Sequence, residues 1–188
     1  MLKRLEEYGK FIGITGFSGI RVENARVFLG LICKNLPADV EIQLFDADLV
    51  ASWQHLYFAA LNTLSAFRNG RNLSKSLAVE SALYASSQRQ IKKALDFIGV
   101  KPETVNVAVL MFGPDERSVE VGLSSVSRQL CVAADDGVLE LTEAKIKRIR
   151  VAFDVSYEEL QAVSSHLNVV DAIVDLIVER VALLSTRI

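Results

Sequence analysis

Apolar residues along this chain recur with two different spacings, one typical of strands and one typical of helices. Strand-like runs occupy residues 11–15, 41–45 and 105–111. The run at 105–111 is an almost continuous series of apolar and β-branched residues, which is typical of a strand buried on both faces. We therefore predict a small sheet with this strand at its centre.

Helical spacing dominates the rest of the chain. The predicted helices cover residues 23–35, 48–67, 74–85, 88–98, 115–131, 142–152, 156–166 and 168–185. A short strand or bridge is predicted at residues 138–141. Because no internal repeat or low-complexity linker divides these elements, the pattern predicts one domain over residues 1–188. Its fold class would be α+β (mixed α/β), a small central β-sheet flanked by many helices.

Composition limits the possible partners. A chain of 188 residues can form one domain, or a tight pair, with a substantial core. Hydrophobic residues make up 51% of it, which favours surplus apolar surface such as a partner interface. Proteins that coat nucleic acid nonspecifically are usually basic, whereas this chain has a net charge of −2. Any contact with RNA should therefore be a local patch.

Several classes of site and location are disfavoured by simple patterns. Cys33 and Cys131 are far apart, so neither a disulfide framework nor a zinc site is predicted. Acidic residues near the N-terminus, and the lack of an apolar run of about eighteen residues, argue against a signal peptide and a membrane span. Gly13, Gly16 and Gly19 lack the spacing of a nucleotide-binding loop and predict a turn or bulge instead. We expect a cytoplasmic protein with no cofactor, no metal and no membrane partner.

The helix predicted at residues 48–67 carries the first candidate for chemistry. It presents apolar or small residues on two faces, which indicates burial on more than one side. Asp48 is interpreted as its N-cap. His55 has no Ser, Cys or metal-ligand cluster near it in sequence, and the other histidine is His166. His55 is therefore interpreted as a hydrogen-bonded structural residue, and a proton shuttle is the alternative.

The helix predicted at residues 88–98 combines a helix start with a cluster of cations. Arg89, Lys92 and Lys93 share one face, and free N–H groups in the first turn could join them in binding phosphate. Ser87 and Gln90 also fit a capping box, which would make this an ordinary capped surface helix. Chemistry alone leaves both interpretations open. The apolar residues that we expect to pack inward are Ile91, Leu95 and Ile98.

A second basic cluster lies at residues 145–150, where Lys147 and Arg150 are three positions apart. We interpret it as a solvated helix face, with RNA binding as the alternative. The helix predicted at 168–185 differs, because its acidic stripe is narrow and apolar residues cover most of its circumference. Either this helix is sandwiched inside its own fold, or its outer face docks on another protein. The acidic stripe consists of Asp171, Asp175 and Glu179, and is bordered by Val174, Val178 and Ala182.

Three segments carry a family resemblance. Residues 46–55 read Asp-Ala-Asp-Leu-Val-Ala-Ser-Trp-Gln-His, residues 86–91 read Ser-Ser-Gln-Arg-Gln-Ile, and residues 168–184 begin Asn-Val-Val and end Ala-Leu-Leu. Together they resemble the kinase-binding subunit of the KEOPS complex, the PRPK-binding protein or TPRKB family. Ser87 occupies the position at which the family motif A-S-G-x-R-Q-I has glycine. The resemblance covers residues 10–112 and 165–185.

The resemblance implies a non-catalytic subunit of a complex that places threonylcarbamoyl on N6 of the adenosine beside the tRNA anticodon. Its partners would be the small atypical kinase/ATPase subunit, tRNA and, indirectly, the threonylcarbamoyl-transferase subunit. The chain would activate the kinase and hold the single-stranded 3′ CCA tail of tRNA. Two alternatives stay open: a protein-only adaptor without RNA binding, and a small enzyme that uses His55.

The resemblance also implies roles for individual residues. Arg89 would bind phosphate as a bidentate fork, with Lys92 and Lys93 as point charges. The residues that would contact base edges or sugar hydroxyls are Ser86, Gln88 and Gln90. The helix at 168–185 would dock on the kinase N-lobe. Its interface residues would be Val170, Val174, Val178, Val181 and Ala182.

Overall fold

Four strands form one antiparallel sheet in the part of the chain that the computed structural model describes, residues 1–164 and 168–186. The strands are β1 (Leu2–Leu5), β2 (Lys10–Phe17), β3 (Glu41–Asp46) and β4 (Val107–Gly113). Their order across the sheet is β1-β2-β4-β3, so β4 has a neighbour on each side. Every residue of β4 is buried, which confirms the prediction of a buried central strand.

Strand β4 separates two hydrophobic clusters. Its register places Leu110 opposite Ile14 of β2 and Gln43 of β3. Side chains of successive strand residues point to opposite faces of a sheet, so alternate residues of β4 enter different clusters. One cluster includes Ala108, Leu110 and Phe112, and the other includes Val107, Val109 and Met111.

Helices cover both faces of the sheet. They are α1 (Ala25–Lys34), α2 (Trp53–Arg68), α3 (Leu77–Ser86), α4 (Ile91–Ile98), α5 (Glu116–Leu130), α6 (Glu143–Ala152), α7 (Tyr157–Ser164) and α8 (Val169–Leu183). Helices α1 and α5 pack on one face. Helices α2, α3, α4, α6 and α8 build the cluster on the other face, and α7 packs against α8. This architecture confirms the predicted α+β class.

Two short segments differ from the sequence prediction. The sequence does not predict strand β1, because the charged residues Lys3 and Arg4 at the centre of this strand interrupt the alternation of apolar residues. Charged residues are typical of an edge strand, and β1 is one. The predicted strand or bridge at 138–141 is wrong, since a 3-10 turn occupies Asp136–Leu139. The Asp135 carboxylate accepts a hydrogen bond from the backbone N–H of Gly137 at 3.1 Å, which favours the turn.

The start of α2 also differs, since the helix begins at Trp53 and Asp48 is not its N-cap. The Ser52 hydroxyl caps the helix by accepting a hydrogen bond from the backbone N–H of His55 at 3.4 Å. Asp48 instead accepts a hydrogen bond from the guanidinium of Arg148 at 2.8 Å. Both Asp48 and Ser52 are favourable caps, and the backbone dihedral angles decide between them.

The glycines of β2 allow close packing. A Cβ atom at Gly13 would lie 2.7 Å from Cγ1 of Val119, and one at Gly16 would lie 2.7 Å from the carbonyl oxygen of Asp135. The predicted turn or bulge at these two positions is wrong, because both residues lie in a regularly paired strand. Gly19 does adopt a positive φ of 68°, in the loop after the strand.

No helix within the described ranges has both the length and the apolar composition needed to cross a bilayer. The helix predicted at 156–166 is observed as α7, Tyr157–Ser164. The last residues of that prediction, including His166, lie outside the described residues.

Candidate functional site

The α3–α4 junction, which carries most of the candidate RNA-binding residues, is a tight left-handed turn. Ser87 adopts φ 54° and ψ 30°, just beyond the last turn of α3. The backbone N–H of Ser87 donates to the carbonyl of Tyr84, and that of Gln88 donates to the carbonyl of Leu83, each at 3.0 Å. This pair of hydrogen bonds is a Schellman motif, whose left-handed position usually holds glycine. This left-handed geometry explains why the family motif has glycine at the position of Ser87.

The capping box predicted for Ser87 and Gln90 is wrong. Ser87 ends α3 instead of starting α4, and its hydroxyl oxygen is buried without a hydrogen-bond partner in the described residues. Helix α4 starts at Ile91, and the side chain of Gln90, its N-cap residue, makes no capping hydrogen bond. Among the described residues, no side chain accepts a hydrogen bond from the first N–H groups of α4.

His55, a residue of α2, connects α2 to this junction through hydrogen bonds. Its Nδ1 accepts a hydrogen bond from the backbone N–H of Ala51 at 3.2 Å, and its Nε2 donates to the carbonyl of Ala85 at 2.8 Å. The ring is fully buried and meets the Phe153 ring edge-on. Burial lowers the pKa of His55 to about 4, against the raising effect of the hydrogen bond to Ala85. These contacts confirm the interpretation of His55 as a hydrogen-bonded structural residue.

Three exposed cations surround the start of α4. Arg89, Lys92 and Lys93 are all solvent-exposed, and their side chains make no hydrogen bond or ion pair within residues 1–164 and 168–186. Ile91 is 40% exposed, so the expectation that it packs inward is wrong, whereas Ile98 is buried. The exposed cations and the uncapped N–H groups of α4 together form a surface suited to phosphate.

A cavity of about 170 Å³ adjoins this surface and is lined by Arg89 and Arg71. Arg71 lies in the α2–α3 loop, where no periodic pattern marks it, and sequence reasoning missed it. The loop is held in place by the buried carboxylate of Glu80, which accepts hydrogen bonds from the backbone N–H groups of Leu73 and Ser74 at 3.0 and 2.7 Å. Other polar residues that line the cavity are Asn62, Ser65, Asn69, Glu80, Tyr84 and Ser185.

The remaining candidate RNA contacts differ in their access to solvent. Ser86 is buried, and its hydroxyl donates to the carbonyls of Ala82 and Leu83 at 2.6 and 3.2 Å. Its side chain therefore presents no surface to RNA, which corrects the role expected for it. Gln88 is half-buried and Gln90 is exposed, so both side chains are accessible.

The outer face of α8 contains most of the residues implied for kinase docking. Val170 is 43% exposed, Val174 and Val178 are half-buried, and Ala182 is exposed. Val181 is completely buried in the core, so its expected place in an interface is corrected. Helix α8 is thus packed on one side and open on the other. The acidic stripe on its surface is exposed at Asp171, Asp175 and Glu179.

The second basic cluster contains one buried cation, Lys145, and one ion-paired cation, Arg148. Lys145 is buried, and its ammonium group donates to the carbonyls of Val138 and Glu140 at 2.7 and 3.3 Å. Burial lowers the pKa of Lys145 to about 8. Arg148 is paired with the Asp48 carboxylate at 2.8 Å. The interpretation of this cluster as a solvated face is therefore wrong for Lys145, whereas Lys147 and Arg148 are exposed as expected.

No group of three or more His, Cys, Asp or Glu side chains able to hold a metal ion occurs in the part of the chain that the structure describes. The fully buried ring of His55 is likewise engaged by backbone groups at both nitrogens. Two features open to partners are the cationic junction with its cavity and the outer face of α8.

Comparisons with known proteins agree with the motif resemblance. The family described as Kinase binding protein CGI-121 matches residues 21–185, including the segment 113–164 that the sequence motifs do not cover. The chain is also similar to the Regulatory protein Cgi121 of Methanocaldococcus jannaschii, with 29% identity over 142 residues. That alignment covers 76% of this chain and 83% of the archaeal protein. The chain therefore belongs to the kinase-binding CGI-121 family.

Proposed function

We propose that this chain is a non-catalytic subunit of a KEOPS-type complex that makes N6-threonylcarbamoyladenosine in tRNA. It binds and activates the small atypical kinase/ATPase subunit, and it recruits tRNA by its 3′ CCA tail. The observation that carries the proposal is one kinase-binding fold with two separate open surfaces, the face of α8 and the cationic start of α4. Partner subunits carry out the chemistry.

Support for the kinase surface comes from α8. A helix packed in its own fold has no need of apolar residues on its outer side, yet Val170 is 43% exposed there and Val178 is half-buried. An amphipathic helix with an apolar outer ridge is a common docking element between proteins. The exposed acidic stripe beside the ridge would meet basic residues of the kinase N-lobe.

Support for the tRNA surface comes from charge and shape. Arg89 can form a bidentate pair with phosphate, and Lys92 and Lys93 add point charges. The adjoining cavity of about 170 Å³ is lined by Arg71 and Arg89, and an unstacked base of a single-stranded end could enter such a concave site. Gln88 and Gln90 are accessible for contacts to base edges or sugar hydroxyls.

The third part of the proposal concerns catalysis, which we assign to the partner subunits. The relative from Methanocaldococcus jannaschii is named a regulatory protein, and the matched family is named for kinase binding. His55, the residue on which an enzymatic alternative would depend, is buried, and its pKa of about 4 keeps it neutral near pH 7. Both ring nitrogens already serve the fold.

Two titrations test the proposal. Purified chain should bind intact tRNA, and should bind tRNA trimmed of its 3′ CCA much more weakly. It should separately bind the purified kinase and raise the ATPase rate of that kinase. Equal binding of trimmed and intact tRNA would reject the 3′-tail assignment. Kinase binding without any tRNA retention at low salt would favour a protein-only adaptor.

A further inference from the structure

A groove with a partly apolar lining lies beside the outer face of α8. It encloses about 510 Å³ and is lined by the start of α2, the segment before α6 and the first turns of α8. Trp53 lines it and is 40% exposed. We call this groove the Trp53 groove, with apolar lining residues Trp53, Leu141, Val170 and Val174.

The rim of the Trp53 groove is acidic. Asp136, Glu140 and Asp171 lie among its lining residues, which include no lysine or arginine side chain. One of these carboxylates, that of Asp136, is paired with the N-terminal amine of Met1 at 3.7 Å, which leaves Glu140 and Asp171 as the rim carboxylates without an ion pair among the described residues. An apolar floor with an acidic rim fits a protruding apolar side chain that is flanked by lysine or arginine.

The groove is continuous with the proposed kinase surface, because Val170 and Val174 belong to both. We infer that the Trp53 groove is the anchoring pocket for the kinase partner, which inserts an apolar side chain against Trp53 and sets basic residues on the acidic rim. This inference rests on the proposed kinase contact and adds a second element, the start of α2. Tryptophan residues at the centre of an interface commonly contribute much of the binding energy.

Trp53 is the one tryptophan in the chain, so a single probe reports on the groove. The full chain, labelled with 5-fluorotryptophan, gives one fluorine resonance, which is followed by NMR during titration with unlabelled kinase. We expect a shift that saturates at equimolar kinase. A resonance that stays unchanged at saturating kinase overturns the inference. So does a shift produced by tRNA alone, or by raising the concentration of the free chain, which would indicate RNA or a second copy as the occupant.

Two substitutions test the apolar floor and the acidic rim separately. Trp53→Ala should weaken kinase binding about tenfold or more. Glu140→Lys, at an exposed position, should weaken it severalfold, more strongly at low salt. The matched controls are Leu31→Ala and Glu120→Lys, exposed positions on α1 and α5 across the sheet, which should bind as the wild type does. If Trp53→Ala does not fold, Glu140→Lys and the fluorine titration still decide the question.

The outcomes separate this inference from the proposed function. One outcome is that folded Trp53→Ala and Glu140→Lys bind kinase normally, whereas Val178→Glu does not. It would reject the Trp53 groove as the anchoring pocket and retain the kinase contact on α8. A wild-type chain that does not bind kinase overturns the proposed function itself, and the groove with it. Loss of binding at both Trp53 and Val178 supports a single interface that spans α2 and α8.

Discussion

The Nε2 atom of His55 donates to the carbonyl oxygen of Ala85 at 2.8 Å, and this hydrogen bond ties α2 to the last turn of α3. The carbonyls at a helix end have no partner within the helix, so a side-chain donor satisfies one of them. Two residues later the chain turns at Ser87 and delivers Arg89 to the surface. A buried structural residue thus helps to position the proposed RNA-binding segment.

Replacing His55 with alanine should reduce stability. His55→Ala removes the hydrogen bonds to Ala51 and Ala85 and leaves a cavity beside Phe153. We expect a loss of roughly 2–4 kcal/mol in the free energy of unfolding, measured by urea denaturation. Kinase binding should persist at temperatures where the variant is folded. A variant of unchanged stability that abolished tRNA modification in the assembled complex would contradict the structural role and favour a chemical one.

The same histidine should make stability depend on pH. In the unfolded chain His55 titrates near its ordinary pKa of 6.5, whereas in the folded chain the pKa is lowered to about 4. Between those values the unfolded state binds the additional proton, so stability is complete above pH 6.5 and decreases as the pH falls towards 4. The full loss is roughly 3 kcal/mol. Urea denaturation at a series of pH values measures it, with His55→Gln as the control whose slope should be shallower.

Most regular elements follow from the apolar pattern, which is periodic in most helices and a nearly continuous apolar run in β4. For that reason the sequence predicts strands β2, β3 and β4 and all eight helices of the described residues. The exceptions have local causes. Lys3 and Arg4 obscure the edge strand β1, and Asp48 and Ser52 compete as N-caps of α2.

The candidate site was less predictable, because it depends on contacts distant in sequence. Arg71 reaches the cavity beside Arg89 through a loop whose position is fixed by the buried carboxylate of Glu80. Ser87 matched a capping motif, yet the backbone uses it as the left-handed end of α3. Local patterns identified Arg89, Lys92 and Lys93, but neither Arg71 nor the geometry that presents these cations.

Glycine at position 87 should stabilise the protein. Ser87 has φ 54°, in the region where a Cβ atom is unfavourable, and its hydroxyl oxygen is buried without a partner among the described residues. Ser87→Gly should therefore raise the free energy of unfolding by about 1 kcal/mol. The neighbouring change Ser86→Gly is the matched control and should destabilise, because Ser86 lies within α3 and its hydroxyl is bonded. Equal effects of the two substitutions in thermal denaturation would argue against the left-handed turn.

Arginine 89 should account for much of the proposed tRNA affinity. A charge-assisted pair with phosphate is worth roughly 1–3 kcal/mol, so Arg89→Ala should weaken tRNA binding by that amount, measured by filter binding or anisotropy. The salt dependence of binding should also become shallower, since fewer counterions are released. Arg117→Ala is the matched control, an exposed arginine at the start of α5 on the other face of the sheet. Equal losses from the two changes would indicate nonspecific electrostatic binding instead of a site.

Substitutions along α8 should separate its docking face from its core face. Val178 is half-buried on the outer side, whereas Val181 is completely buried. Val178→Glu should leave the chain folded, because the added carboxylate can reach solvent. It should weaken kinase binding by roughly 2–4 kcal/mol, because the complex would bury an unpaired charge. The tRNA affinity of the isolated chain should be nearly unchanged, since α4 is a separate element.

The control for this change is Val181→Glu, which places the same charge in the hydrophobic cluster and should unfold the chain. Circular dichroism establishes the folded state of each variant before the kinase and tRNA titrations. Unfolding of Val178→Glu would show that the outer side of α8 belongs to the core, and the kinase contact would then have to lie elsewhere. A folded Val178→Glu that binds kinase normally would have the same consequence for the interface, because a buried interfacial valine cannot accept a carboxylate without cost.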